Sequence, residues 1–280
     1  MINEKIDLYE YFGIDRGANA GGYLTAFARC EQCELSPKIR PAMLVIPGGA
    51  YMHLSVREGE PVALAYLNEG FSAFTLAYSL NTAYPAPLLE ACMAVVYIRE
   101  QAEKYDVDPE RVAAVGFSAG GHLTAMLATI WNEKEIAEKL GERVALAKPN
   151  AVVLSYPVAT LGEYTHEATC RIITGGSGEL REMLSNEKRV TPDSAPAFIW
   201  HTYEDNAVPV ENSLLLASAY RKAGVPFALH IFERGWHGLS LCNAETNNQT
   251  ADDRSVSEVA EWFPLSVDWL NARGFTVRVK

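Results

Sequence analysis

Six short apolar runs punctuate the chain, at residues 42–47, 71–78, 112–117, 150–156, 197–202 and 227–232. Most of them are apolar throughout instead of alternating, the pattern of strands buried on both faces. Between the runs lie segments with helical start and stop signals. Ser55-Val-Arg-Glu58 reads as a capping box opening a helix that Gly70 stops, Pro85 and Pro87 suit a first turn, and Pro209 opens a segment closed by Gly224. Trp262, Leu265, Trp269 and Leu270 mark a further apolar helix face before Gly274, with Pro264 setting its start near Glu261 or after it. Alternation of strand and helix predicts an α/β fold, a mostly parallel central sheet with helices on both faces. Residues 157–196 break the alternation: they hold Gly175-Gly-Ser-Gly178 and no clear period. They read as an insertion or cap within a single domain spanning 1–280.

Composition changes this picture only at the margins. A net charge of −11, from 24 Lys plus Arg against 35 Asp plus Glu, opposes phosphate backbones and anionic membranes, so nucleic acid and membrane are not expected partners. The first ten residues lack the basic start and apolar stretch of an export signal, and no run approaches the roughly 18 apolar residues of a membrane span, so a cytoplasmic location is expected. Five cysteines are an odd number and fit reduced thiols. Cys30-Glu-Gln-Cys33 has metal or redox spacing. A zinc site would need a second close pair, however, and Cys92, Cys170 and Cys242 stand alone, so the pair reads as ordinary thiols with no metal expected.

Chemistry enters at Gly116-Phe-Ser118-Ala-Gly120, a G-x-S-x-G motif between a predicted strand and a predicted helix. In that setting the serine sits on a sharp strained turn, and Gly116 and Gly120 remove side chains that would collide with neighbouring backbone. A serine hydroxyl needs a base to take its proton and a carboxylate to orient that base. After strand 197–202 comes His201-Thr-Tyr-Glu-Asp205, and after strand 227–232 comes Glu233-Arg-Gly-Trp-His237-Gly238. The order Ser, acid, His then makes Ser118 the nucleophile, Asp205 the acid and His237 the base. Glu204 competes with Asp205, because two adjacent carboxylates cannot both face one imidazole; the turn toward Pro209 favours Asp205.

Such a reaction also needs donors for an oxyanion. Pro47-Gly48-Gly49-Ala50-Tyr51 follows the first apolar run, and absent side chains there let backbone N–H groups face a ligand. Gly49 and Ala50, with Ala119 after the nucleophile, are the expected donors, and Tyr51 is expected to contribute to the acyl pocket. His122 reads as packed or hydrogen-bonded and His201 as an organiser of the acid loop. His53, His166 and His230 have no motif behind them.

Taken in order, Pro-Gly-Gly-Ala-Tyr at 47–51, Gly-Phe-Ser-Ala-Gly-Gly-His-Leu at 116–123, His-Thr-x-x-Asp-x-x-Val-Pro-Val-Glu-Asn-Ser at 201–213 and Phe-Glu-x-Gly-x-His-Gly at 232–238 resemble the alpha/beta-hydrolase esterases of the acetyl-xylan and carbohydrate esterase type. The resemblance covers about residues 40–275 and departs at Pro47, where many relatives carry histidine. It implies a cofactor-free serine esterase acting on short acyl esters, often on sugars. With no export signal, the expected substrate is a small acylated oligosaccharide. General short-chain carboxylesterase, feruloyl esterase, formamidase and lactonase activities stay open on the same fold. So does a non-catalytic binding protein, although such proteins tend to lose a triad member.

Overall fold

The computed structural model describes residues 1–29, 36–246 and 254–280, so Cys30 and Cys33 lie outside the described residues. In chain order the strands are β1 (Ile2–Asp7), β2 (Tyr23–Ala28), β3 (Lys38–Ile46), β4 (Ser72–Ala77), β5 (Val107–Phe117), β6 (Ala151–Ser155), β7 (Ala197–Thr202), β8 (Phe227–Phe232) and β9 (Arg278–Val279). The helices are α1 (Leu8–Phe12), α2 (Glu60–Asn68), α3 (Ala86–Glu100), α4 (Ala119–Thr129), α5 (Lys134–Leu140), α6 (Glu167–Thr174), α7 (Gly178–Met183), α8 (Glu211–Ala223) and α9 (Trp262–Ala272). The sheet runs β1-β2-β4-β3-β5-β6-β7-β8, with β9 pairing the start of β3. From β4 to β8 every pairing is parallel, while β1 and β2 join antiparallel at one edge.

The apolar runs behave as strands buried on both faces except the last, β8, which ends the sheet and is largely half-buried. Along β3, Ala42, Leu44 and Ile46 enter one core cluster, whereas Met43 and Val45 enter the other. The first cluster packs under α3, α4 and α8, through residues such as Leu88, Leu123 and Leu216. The second is covered by α2 and α9, through Val62, Tyr66, Trp262 and Leu270. Trp200 and Trp262 stack there at 5.0 Å between centroids. This two-sided burial is what holds the strand ends rigid enough to carry loops of fixed geometry.

Boundaries follow local chemistry. α3 carries Pro87 in its first turn, α8 ends at Gly224 in the left-handed conformation (φ 73°), and α9 starts at Trp262 with Pro264 in its first turn. One expected cap is absent. Ser55 makes no side-chain cap, α2 starts only at Glu60, and Val56–Glu58 form a single 3-10 turn with Glu58 buried. The antiparallel strands β1, at the sheet edge, and β2, beside it, were not signalled by the long apolar runs. β1 alternates half-buried and exposed positions, as an edge strand does. Between β6 and β7, residues 157–196 hold α6, α7 and a 3-10 turn at Asn186–Lys188. Among the described residues no helix is long and apolar enough to cross a membrane.

Candidate active site

Strand β5 ends at Phe117 and α4 begins at Ala119, leaving Ser118 alone to make the turn. Its φ of 53° and ψ of −117° lie outside the conformations a side-chain-bearing residue prefers, a cost of about 1–3 kcal/mol that surrounding bonds must offset. They are present. Ser118 N–H donates to Ser155 O at 3.1 Å, and its carbonyl accepts from His122 N at 3.0 Å and Val158 N at 3.1 Å. The flanking glycines leave no room: a Cβ on Gly116 would stand 2.3 Å from Gly120 O, and one on Gly120 would stand 2.2 Å from Ile46 O.

Loops after two later strands reach the serine. His237 Nε2 lies 2.7 Å from Ser118 Oγ, and His237 Nδ1 lies 2.6 Å from Asp205 Oδ2. An ionised carboxylate can only accept, so Nδ1 carries the proton and Nε2 is left as the acceptor facing Ser118 Oγ–H. Asp205 Oδ1 accepts from Ala207 N and Val208 N, both at 2.9 Å. Burial pushes the Asp205 carboxyl up, but hydrogen bonds from His201, His237 and Val208 together with the nearby imidazole outweigh it, and the group is held well below the usual carboxylate range. Glu204 turns the other way and accepts from Gly235 N at 3.1 Å. His201 is buried, with Nδ1 2.8 Å from Ser213 Oγ and Nε2 2.9 Å from Val208 O, so it braces the acid loop.

The loop after β3 packs directly on the nucleophile, since a Cβ on Gly48 would lie 3.0 Å from Ser118 Cβ and 2.7 Å from Phe117 O. Among the described residues the N–H groups of Gly49 and Ala50 have no hydrogen-bond partner, and that of Ala119 is a first-turn donor that a helix leaves open. Gly49 adopts φ 119°, and a Cβ there would meet His53 O at 2.1 Å. The expectation that Tyr51 walls an acyl pocket is corrected. Its side chain is fully buried, and its hydroxyl lies 3.0 Å from His122 Nδ1, so it holds the loop from beneath. His122 Nε2 in turn donates to Leu184 O at 2.9 Å, and burial lowers the imidazole from 6.5 to about 4, leaving it neutral.

Three groups near this arrangement were not read as site residues from the chain pattern. Asn212 Oδ1 accepts from Ala159 N at 2.9 Å and Thr160 N at 3.1 Å, while its Nδ2 donates to Tyr164 O at 2.8 Å, pinning the 157–196 segment to α8. His166 caps α6 and is held below its ordinary value by burial and then by the neighbouring His237. Glu58, read as a cap, instead sits between Gly48 N at 2.9 Å and the Tyr156 hydroxyl at 2.7 Å. Among the described residues no group of three or more His, Cys, Asp or Glu side chains could hold a metal ion.

A family model described as BD-FAE matches residues 33–220. Over 218 residues the chain is 40% identical to endo-1,4-beta-xylanase B of Butyrivibrio fibrisolvens, covering 74% of this chain and 33% of that protein. It is 30% identical over 211 residues to an acetylxylan esterase of Xylanibacter ruminicola, covering 71% of this chain and 41% of that protein. The chain thus spans between a third and about two fifths of the length of these curated relatives. The crystal structure of an acetyl ester-xyloside bifunctional hydrolase from Caldicellulosiruptor lactoaceticus superposes with a TM-score of 0.81 at 34% identity, over 98% of this chain and 97% of that one.

Proposed function

Because the chain belongs to the BD-FAE family of alpha/beta hydrolases, we propose that it is a carboxylic ester hydrolase that cleaves short acyl esters, acetyl above all, on xylose-based oligosaccharides through Ser118, His237 and Asp205. The observation that carries the reading is the hydrogen-bonded series Ser118 Oγ, His237 and Asp205, with spacings of 2.7 and 2.6 Å, on a strained turn at the head of α4.

In this reading His237 Nε2 takes the Ser118 proton as Oγ attacks the ester carbonyl. The N–H groups of Gly49, Ala50 and Ala119 hold the resulting oxyanion, and the imidazolium protonates the departing alcohol. Water then enters and gives its proton to Nε2 as its oxygen bonds the acyl carbon, and the imidazolium returns that proton to Ser118 Oγ as the C–Oγ bond breaks and the acid leaves. Asp205 fixes the ring tautomer and stabilises its cationic form; two backbone N–H groups keep that carboxylate from turning.

The substrate class is supported by what the relatives are named for, acetylxylan esterase and acetyl ester-xyloside hydrolase. The 157–196 segment, pinned to α8 by Asn212, is proposed to cap the acyl side of the site. A small acyl pocket discriminates by about 1–3 kcal/mol per methylene, so selectivity should be graded. The test is kcat/KM for an acetylated xylo-oligosaccharide, its butyryl and feruloyl analogues, and a matched amide. Acetyl should lead, with butyryl slower and feruloyl slower still; a preference for feruloyl ester or amide would contradict the substrate reading.

A further inference from the structure

The segment 55–58 looks like a helix cap and is not one. Its acidic residue, Glu58, is 2% exposed and spends both oxygens on the machinery around Ser118. Oε2 accepts from Gly48 N–H at 2.9 Å, in the loop that packs on the nucleophile. Oε1 accepts from the Tyr156 hydroxyl at 2.7 Å, and that hydroxyl accepts from Ser240 N–H at 2.9 Å, three residues beyond His237. Ser240 is fixed on its other polar atoms too: Oγ donates to Arg57 O at 2.6 Å and its carbonyl accepts from Trp262 Nε1 at 2.8 Å. The Tyr156 ring packs edge-on to the His237 imidazole, 5.0 Å between centroids at 69°.

We propose that Glu58 is a positioning residue for the esterase reaction, holding the oxyanion-donor loop and the His237 loop in one mutual register through Gly48, Tyr156 and Ser240. The inference rests on the donor assignment given above for Gly49 and Ala50. With Gly48 N–H engaged by Glu58 and Pro47 O engaged by the Tyr78 hydroxyl at 2.8 Å, the peptide preceding the two donors is fixed at both of its polar atoms. A negative group behind an anion-binding loop opposes the oxyanion electrostatically, so the contribution of Glu58 is geometric.

The direction of the hydrogen bonds requires a carboxylate. Gly48 N–H and Tyr156 O–H both donate, and Tyr156 already receives Ser240 N–H, so the residue at 58 must accept on both oxygens. Burial, then the charge of Glu58, raises the Tyr156 phenol well above its ordinary range, which keeps it a donor. A glutamine has the same shape but one acceptor oxygen. It would leave either Gly48 N–H or the Tyr156 proton buried and unpaired.

Glu58→Gln and Tyr156→Phe test this; the second keeps the ring against His237 and removes one oxygen. Cooperative unfolding is verified first, and Tyr156→Phe decides alone if Glu58→Gln does not fold. Steady-state kinetics on an acetyl ester are then paired with the affinity for a trifluoromethyl ketone, which forms a tetrahedral oxyanion on the serine. Loss of alignment at one donor predicts kcat lower by about 10–100-fold with KM within about twofold, and ketone affinity lower by a similar factor. The double variant should be no worse than the poorer single one, as expected of a shared network. Folded variants whose kcat and ketone affinity stay within twofold of the parent protein would overturn the proposal and leave Ser118 as nucleophile untouched. If the parent protein forms no ketone adduct at Ser118, the esterase assignment itself fails.

Discussion

The Asp205 carboxylate lies 2.6 Å from His237 Nδ1, while the carboxylate of its chain neighbour Glu204 faces Gly235 N instead. Adjacent carboxylates therefore make different contacts, and they should separate cleanly in kinetics. Asp205→Asn keeps the shape but offers an amide where Nδ1–H needs an acceptor. We expect it to lower kcat by about 10³–10⁴-fold. Glu204→Gln keeps an oxygen able to accept from Gly235 N–H and should cost less than about tenfold. The reverse order would move the acid assignment to Glu204.

Gly120 and Gly178 make a matched pair for the elbow. A Cβ on Gly120 would lie 2.2 Å from Ile46 O and 2.3 Å from Pro47 O, both backbone atoms that cannot swing aside. Gly178, the first residue of α7, has no heavy atom within 4 Å of its would-be Cβ. Gly120→Ala should destabilise by about 1–3 kcal/mol or more and lose activity with it. Gly178→Ala should leave both within error or raise stability slightly. Thermal melts and ester turnover on the two variants check this.

His122 sets an acid limit on stability. Burial lowers its imidazole from 6.5 to about 4, so the fold prefers the neutral form. Between those values the unfolded chain binds more protons than the native one, and stability therefore falls as pH is lowered through that window. Below about 4 this group contributes no further change. The loss is about 3 kcal/mol. Urea midpoints measured from pH 7 to pH 4 should fall less steeply for His122→Gln than for the parent chain; equal slopes would count against a neutral buried imidazole.

Much of the frame was legible because it rests on local pattern. Strands buried on both faces, such as β7, read as unbroken apolar runs, and β7 falls on the predicted residues 197–202; the half-buried edge strand β8 also falls on its predicted residues 227–232. The G-x-S-x-G turn was legible because two backbone collisions at Gly116 and Gly120 exclude side chains. What failed depended on distance in the chain. Glu58 satisfies every local rule for a capping residue, yet its partner Tyr156 lies 98 positions away. Tyr51 follows the donor loop and looked like a pocket wall, but its hydroxyl is drawn down to His122, 71 positions on. β1 alternates half-buried and exposed positions and β2 begins with half-buried and buried positions in alternation, so no long apolar run announces them.

The proposal that Ser118 is the nucleophile is tested most directly by covalent labelling combined with its deletion. A fluorophosphonate should add one adduct per chain, mapped by peptide mass spectrometry to the 116–123 stretch at Ser118. Ser118→Ala should melt like the parent protein, take no label, and lose turnover by about 10⁴-fold or more. Label on a different residue, or ordinary turnover by Ser118→Ala, would contradict it.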